Sequence, residues 1–553
     1  MAPQFKLTAI YERPLAALKD TTVDLSRCAT PGEIRFIDCA AAGENILRIY
    51  ETNLNFPPKD VPYATISYVW RGYPTRKPAM TPRSAFHVKG AESGDPISIQ
   101  LLTHICAAAV KERVGLIWLD RLCIMQTNKE DKAWQIQQMY SVYQRCAVCF
   151  VLPGGINRLA GLGEDTAWIH RAWTLQELLA PPRSLVVFEW TYGSGTYTGA
   201  TVGRIEDVVP RKSAMADATD ILQFCIEGKM TFNRDKSTDA TRRFSIPVHI
   251  FGAPSSPQAW ATMGALRLRG SESGESAVWR SALMRTSSRP VDMILSIMGL
   301  FDVSLNPSDF DKDDRVGATV ALAKKVLAQR HSATWIGASF HLPESSHLSS
   351  FPAFPQSSVS GRAMVKIGGR MKEVSTVVDG DYMSQWWLRH APKGRIDDEG
   401  YLVTRVSAAA AALTDRRGDA TPGVANTSIG SEKGVYTVTD LRGRQWRVDK
   451  RRSLSSTTKA LILYVGKEGR LPSATAYQFG EDTPVRAIAV EAHATGRYHR
   501  VASFFLGNCY EQEIKTWQVA DVAVGGPKAL SIQQLAIINK AEFKVRRKPI
   551  EPN

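Results

Sequence analysis

Between Tyr63 and Trp190 the chain alternates short apolar runs with segments of helical period, and that alternation constrains the fold more than any other feature. Tyr63-Ala-Thr-Ile-Ser-Tyr-Val-Trp reads as a strand, Ile97 to Arg113 as a helix, Leu116-Ile-Trp-Leu-Asp as a strand and Glu130 to Arg145 as a helix. Ala147-Val-Cys-Phe-Val-Leu is a further strand ended by Pro153-Gly-Gly, Thr166 to Leu179 a helix stopped by Pro181-Pro182, and Ser184-Leu-Val-Val-Phe-Glu-Trp another strand. Strands and helices in this order predict an α/β unit, a doubly wound parallel sheet with helices on both faces.

Ahead of this unit, Ile46 to Thr52 alternates apolar and polar residues with the two-residue period of a strand. Beyond Gly203 the pattern gives helices at Ala277 to Arg285, Val291 to Phe301 and Asp314 to Gln329. After Phe351 short strand-like runs take over, at Tyr401 to Val406, Gly434 to Thr439, Ala460 to Val465 and Arg500 to Leu506. Val435 to Thr439 and Arg444 to Val448, around Asp440-Leu-Arg-Gly443, form a predicted hairpin, and Arg416 to Lys433 a predicted loop. The predicted division is an N-terminal segment 1–56, the α/β domain 57–200, a mostly helical region 201–350, a β-rich C-terminal domain 351–545 and a basic tail 546–553.

Composition narrows the functional classes. No run of about 18 apolar residues offers a membrane span, and the N-terminus has no basic segment followed by an apolar core, which predicts a cytoplasmic protein. Eight scattered cysteines suit reduced thiols in cores. The net charge of +15 favours anionic partners, but the basic residues are spread out, densest at Lys544 to Lys548, without a zinc-finger, RNP or basic-zipper pattern, so nucleic acid is not the expected partner. A phosphate loop, a His-Glu-x-x-His pair and a Gly-x-Gly-x-x-Gly turn are missing, which leaves triphosphatase, zinc-protease and ordinary dehydrogenase chemistry unsupported. Cys146 and Cys149 lack a second ligand pair and read as core, and no metal site is predicted.

On a helix of about 100° per residue, Trp168, Ala172, Leu175 and Leu179 share an apolar stripe, and Glu177 points the opposite way with His170 and Trp173 beside it. Glu177 is then either a surface or ion-paired carboxylate or part of a site. Trp134 likewise projects away from Ile136, Met139 and Tyr143, so two indoles lie on polar faces that a partner or a ligand would cover. Asp120 and Gln126 follow the carboxyl end of a strand, where ligands bind in such sheets, although Asp120 could equally cap the loop after it. Ser67 either lines the same cleft or bonds within the sheet. Thr127-Asn-Lys-Glu130 reads as a capping box.

Three blocks, Tyr63 to Gly72, Leu116 to Gln126 with Asp131 to Tyr143, and Arg171-Ala-Trp-Thr-Leu-Gln-Glu177, resemble in order and spacing the hallmark blocks of HET domains, the fungal heterokaryon-incompatibility module. Arg71 intervenes where that family has Gly directly after the Trp. Arg285 to Phe301 is similar to the helical stretch that commonly follows HET domains in mushroom-forming fungi. HET domains in turn resemble TIR domains, which have a flavodoxin-like sheet and, in enzymatic members, a helix glutamate that cleaves the nicotinamide bond of NAD. The resemblance implies self/non-self recognition or programmed-cell-death signalling of the innate-immunity type. It implies no bound cofactor, with NAD as a candidate substrate. Glu177 carries over as the candidate catalytic carboxylate, and Ser67, Trp70, Asp120, Gln126 and Trp173 as candidates for contact with the ligand. The rival is a non-enzymatic module that self-associates or binds a protein partner through Trp134 and Trp173.

Overall fold

The computed structural model describes residues 5–53, 61–72, 84–235, 243–357, 361–378, 386–417, 434–470 and 484–526. Most of the predicted loop at Arg416 to Lys433, and all of the basic tail, lie outside them. The chain forms two compact units, Met1–Val326 with Pro355–Trp387 and Leu327–Phe354 with Leu388–Asn553.

The first unit is built around the predicted strand and helix series: β1 (Tyr63–Tyr68), α1 (Ile99–Lys111), β2 (Leu116–Trp118), α2 (Lys129–Arg145), β3 (Val148–Leu152), α3 (Trp173–Leu179) and β4 (Ser184–Glu189). The four strands are parallel and lie in the order β2-β1-β3-β4, with Ala64 beside both Ile117 and Val148 and Ser184 beside Cys149. Every residue of β1 and β3 is buried, as parallel strands covered on both faces require. Because the chain steps one way from β1 to β2 and the other way from β2 to β3, right-handed crossovers put α1 and α2 on opposite faces. Helix α3 is in contact with α2 and with β1 and β3.

Among the described residues these parallel strands form the centre of a mixed sheet of twelve, not of an all-parallel one. Arg35–Asp38, Ile46–Thr52 and Leu7–Pro14 add antiparallel strands beyond β2, so these three strands ahead of Tyr63 belong to this sheet. On the other side Ser213–Asp217 pairs antiparallel with β4, and Val202–Val209, Gly195–Thr198, Lys229–Arg234 and Arg243–Pro247 continue the sheet. The region expected to be mostly helical therefore begins with strands. Its helices are Ala218–Glu227, Pro257–Arg267, Glu272–Leu283, a short Asp292–Leu295 and Arg315–Ala328.

Local chemistry sets the helix ends. Ser98 caps α1 by accepting from the Leu101 amide at 3.3 Å, and the chain leaves that helix through Arg113 in the left-handed region. The cap of α2 is Asn128, accepting from the Asp131 amide at 2.9 Å, not the Thr127 of the predicted capping box. The predicted helix Thr166 to Leu179 is two pieces: a single 3-10 turn at Trp168–His170, an extended Arg171 (φ −89°, ψ 138°), and then α3. Arg171 breaks the helical period, so the stripe read from one continuous helix does not exist, and Thr174 through Leu179 are all buried.

The second unit is β-rich, as expected. Val435–Thr439 and Arg444–Asp449 form the antiparallel hairpin read from the sequence. Leu402–Arg417 pairs with Gln518–Val524, Arg444–Asp449 and Ala460–Arg470, and pairings run on through Val485–Ala494 and Arg497–Leu506 back to Gln518–Val524, closing a ring of five strands. Trp446, Val485 and Phe504 are core residues there. At the hairpin turn the buried Asp440 carboxylate accepts from the amides of Arg442 and Arg444, both at 2.9 Å, from the Arg444 guanidinium at 2.8 Å and from the Trp446 indole at 3.0 Å. Asp440→Ala strands that buried indole N–H and removes the turn's acceptor, and is expected to cost about 2–4 kcal/mol. Denaturant titration checks this; a loss under about 1 kcal/mol would show that the turn holds without the carboxylate.

Candidate active site

A cavity of about 420 Å³ opens beyond the carboxyl ends of β1 and β2, beside α2 and α3. It lies where the strand order turns back at β1, the position at which open α/β sheets bind ligands. Of the six residues singled out from sequence, Trp70, Asp120, Gln126, Trp173 and Glu177 line it. Ser67, on fully buried β1, lies behind Glu177 and reaches the cavity through that side chain.

Glu177 is 8% exposed, so it is a buried carboxyl and not the surface group that a continuous helix would make it. The Trp168 indole donates to Ser67 Oγ at 2.9 Å, which leaves the Ser67 hydroxyl proton for Glu177 Oε2 at 2.6 Å. This relay fixes the carboxyl's orientation from below. Burial pushes the Glu177 pKa up to about 8, with the Asp120 charge adding to the rise and the Ser67 hydrogen bond, Arg285 and Arg171 opposing it.

Asp120 serves both the roles open to it. Its carboxylate accepts from the Arg121 amide at 2.6 Å, capping its own loop, and from the Tyr68 hydroxyl and the Trp70 indole, the latter at 2.7 Å, on the cavity wall. Burial raises its pKa, and those donors work against the rise. The Trp70 ring is flanked by the Arg121 guanidinium at 5.6 Å and the Lys132 ammonium at 6.0 Å from its centroid. Gln126 donates to the Asp120 carbonyl at 3.0 Å, and its buried Oε1 has no partner in the protein. Gly90, at φ +82°, brings its backbone so close to Gln126 that an added Cβ would stand 3.0 Å from the Gln126 carbonyl carbon.

The indoles expected on exposed faces are not exposed. Trp173 lines the cavity and is a hydrogen-bond partner of the Asp292 carboxylate, and Trp134 is half-buried against the core. The sequence reading missed two groups. Lys132 and Arg171 bring positive charge, and burial lowers the pKa of each. Ser287, Ser288, Arg289 and Asp292 form a wall from a segment more than a hundred residues after α3 begins. The signal for that wall lay in the polar run Arg285-Thr-Ser-Ser-Arg289, set in otherwise apolar surroundings.

The site thus combines three carboxyl groups, Asp120, Glu177 and Asp292, with four cations, Arg71, Lys132, Arg171 and Arg289, and two indoles. It can hold a ligand that carries an aromatic ring, hydroxyls and anionic groups, and set a buried carboxyl against a centre that gains positive charge. Among the described residues no group of three or more His, Cys, Asp or Glu is arranged to hold a metal ion, and no helix is long and apolar enough to cross a membrane. Residues 63–165 match the family model Heterokaryon incompatibility protein (HET), a stretch that carries β1, α1, β2, α2 and β3 and stops short of α3. No curated protein and no solved structure matches the chain.

Proposed function

We propose, from the HET match over residues 63–165 taken together with the cavity beside it, that the chain acts in heterokaryon-incompatibility-type self/non-self recognition or cell-death signalling, and that its α/β unit hydrolyses NAD. The observation that carries the enzymatic part is the buried Glu177 carboxyl, oriented by Ser67 at the wall of a cavity large enough for a nucleotide-sized ligand. The strand order β2-β1-β3-β4 supports the flavodoxin-like, TIR-like reading of the sheet.

In this reaction the bond from ribose C1′ to the nicotinamide nitrogen breaks with its electron pair going to the nitrogen. A water oxygen bonds to C1′, and its proton is released with ADP-ribose. Positive charge builds on the ribose as the base departs, and ionised Glu177 is the group that faces it. Trp173 and Trp70 offer stacking surfaces for the rings of the substrate, and Lys132, Arg171 and Arg289 offer charge to its phosphates. Asp120 holds Trp70 and Tyr68 in place.

Glu177 must lose its proton to act in this way, and burial keeps that proton on up to about pH 8. NAD loss catalysed by the full-length protein is therefore expected to rise from pH 6 through about pH 8 and then level off. A rate that is flat or falls over this range would remove Glu177 from the role given to it. Outward-facing indoles were the sequence feature behind the self-association reading; Trp134 is half-buried against the core and Trp173 lines the cavity, so the enzymatic reading is the one we propose.

A further inference from the structure

The path that fixes Glu177 does not end within the parallel core and α3. Arg285 is 1% exposed and spends its guanidinium on the start of α3: Nη1 donates to the Arg171 carbonyl at 3.0 Å and to Thr174 Oγ1 at 2.8 Å. Its other nitrogens donate to Thr262 Oγ1 at 3.0 Å and Ser281 Oγ at 3.2 Å, which ties this point to the helices Pro257–Arg267 and Glu272–Leu283. The same guanidinium lies 6.0 Å from the centroid of Trp168, the indole that orients Ser67. The next residue, Thr286, bridges to Arg171, accepting from the Ala172 amide at 3.0 Å and donating to the His170 carbonyl at 2.7 Å. These bonds surround the break at Arg171, so residues 285 and 286 hold the turn that aims α3.

Beyond them, Ser287 donates to Asp292 at 3.1 Å, and that carboxylate, more than a hundred positions past the last strand of the parallel core, faces the cavity with Arg289. We propose that residues 285–292 are a working half of the site and not a linker after it, with Arg285 the positioning residue that holds Glu177 through α3, Thr174 and Trp168. This rests on the reading of Glu177 as the acting carboxyl. A guanidinium is suited to the task because its rigid fork satisfies several acceptors at once, and a buried one left unpaired would be costly.

The experiment titrates Glu177 directly, without relying on turnover. Carboxyl modification by a water-soluble carbodiimide is followed by peptide mass spectrometry from pH 4 to 9 in full-length wild type, Arg285→Gln and Thr174→Val. Such reagents take the protonated carboxyl, so the midpoint reports the Glu177 pKa, about 8 in the wild type. If Arg285 positions the helix, its loss hydrates Glu177 and moves the midpoint down by more than one pH unit toward an ordinary carboxylate, with a smaller fall in Thr174→Val. If Arg285 is only a neighbouring charge, its removal leaves the midpoint where it is or raises it, and that result overturns the proposal. NAD loss measured on the same samples separates the two claims. A fallen midpoint in a protein that never consumes NAD would sink the enzymatic reading and leave the positioning role standing.

Discussion

Glu177→Gln is expected to stabilise the protein, and to do so increasingly as pH rises from about 5 to 8. The carboxyl keeps its proton to about pH 8 in the folded chain but loses it near 4.5 when unfolded. Between those values the folded state binds more protons, so wild-type stability falls with rising pH and flattens above the upper one. Three and a half pH units correspond to an effect on the order of 5 kcal/mol, an upper figure for a group this deeply buried. Glutamine keeps an acceptor for the Ser67 hydroxyl and has no charge to bury. Denaturant midpoints of both proteins at pH 5, 6.5 and 8 check this, and a stability difference that does not vary with pH would mean that Glu177 is not held neutral. The same substitution is expected to abolish NAD consumption, the trade of stability for activity found where a site keeps a costly buried group.

The second large effect is expected at Asp131. This fully buried carboxylate meets the equally buried Arg35 guanidinium at 3.2 Å and accepts from the amides of Gly32 at 2.9 Å and Met125 at 2.8 Å. Arg35 in turn donates to Glu51 at 3.1 Å and to the Cys123 carbonyl at 2.9 Å. Asp131→Ala leaves a buried guanidinium without its main counter-charge and should cost about 3–5 kcal/mol. Asp131 also joins the first turn of α2 to the loop that carries Gln126, so loosening it should disturb the cavity wall that Lys132 and Gln126 share. A fall in stability under about 1 kcal/mol would show that the network is dispensable.

The parallel core was legible because its signal is local. Tyr63 to Tyr68 and Val148 to Leu152 are apolar or small through and through, and the helices between them carry regular periods and capping residues. Arg35-Phe-Ile-Asp38 was not read as a strand, since its charged ends make sense only beside Glu51, Asp131 and the amides that Asp38 caps. Val202–Val209, buried at only two of eight positions, gives too weak an alternation to betray an antiparallel extension of the sheet. The site was half legible. Its six candidate residues do come together, but the orientation of Glu177 and Trp173 was misread because the helical period was carried across Arg171. That break is held by Arg285 and Thr286, and no periodicity within residues 166–179 could announce a contact made so far along the chain.

The most direct test of the account follows NAD over time at pH 8 with full-length protein and its Glu177→Gln counterpart, both shown to be folded, at several protein concentrations. Release of nicotinamide and ADP-ribose by the wild type, and none by the variant, is the expected result. Absence of turnover in the wild type at every concentration, or equal turnover by the two proteins, would contradict it.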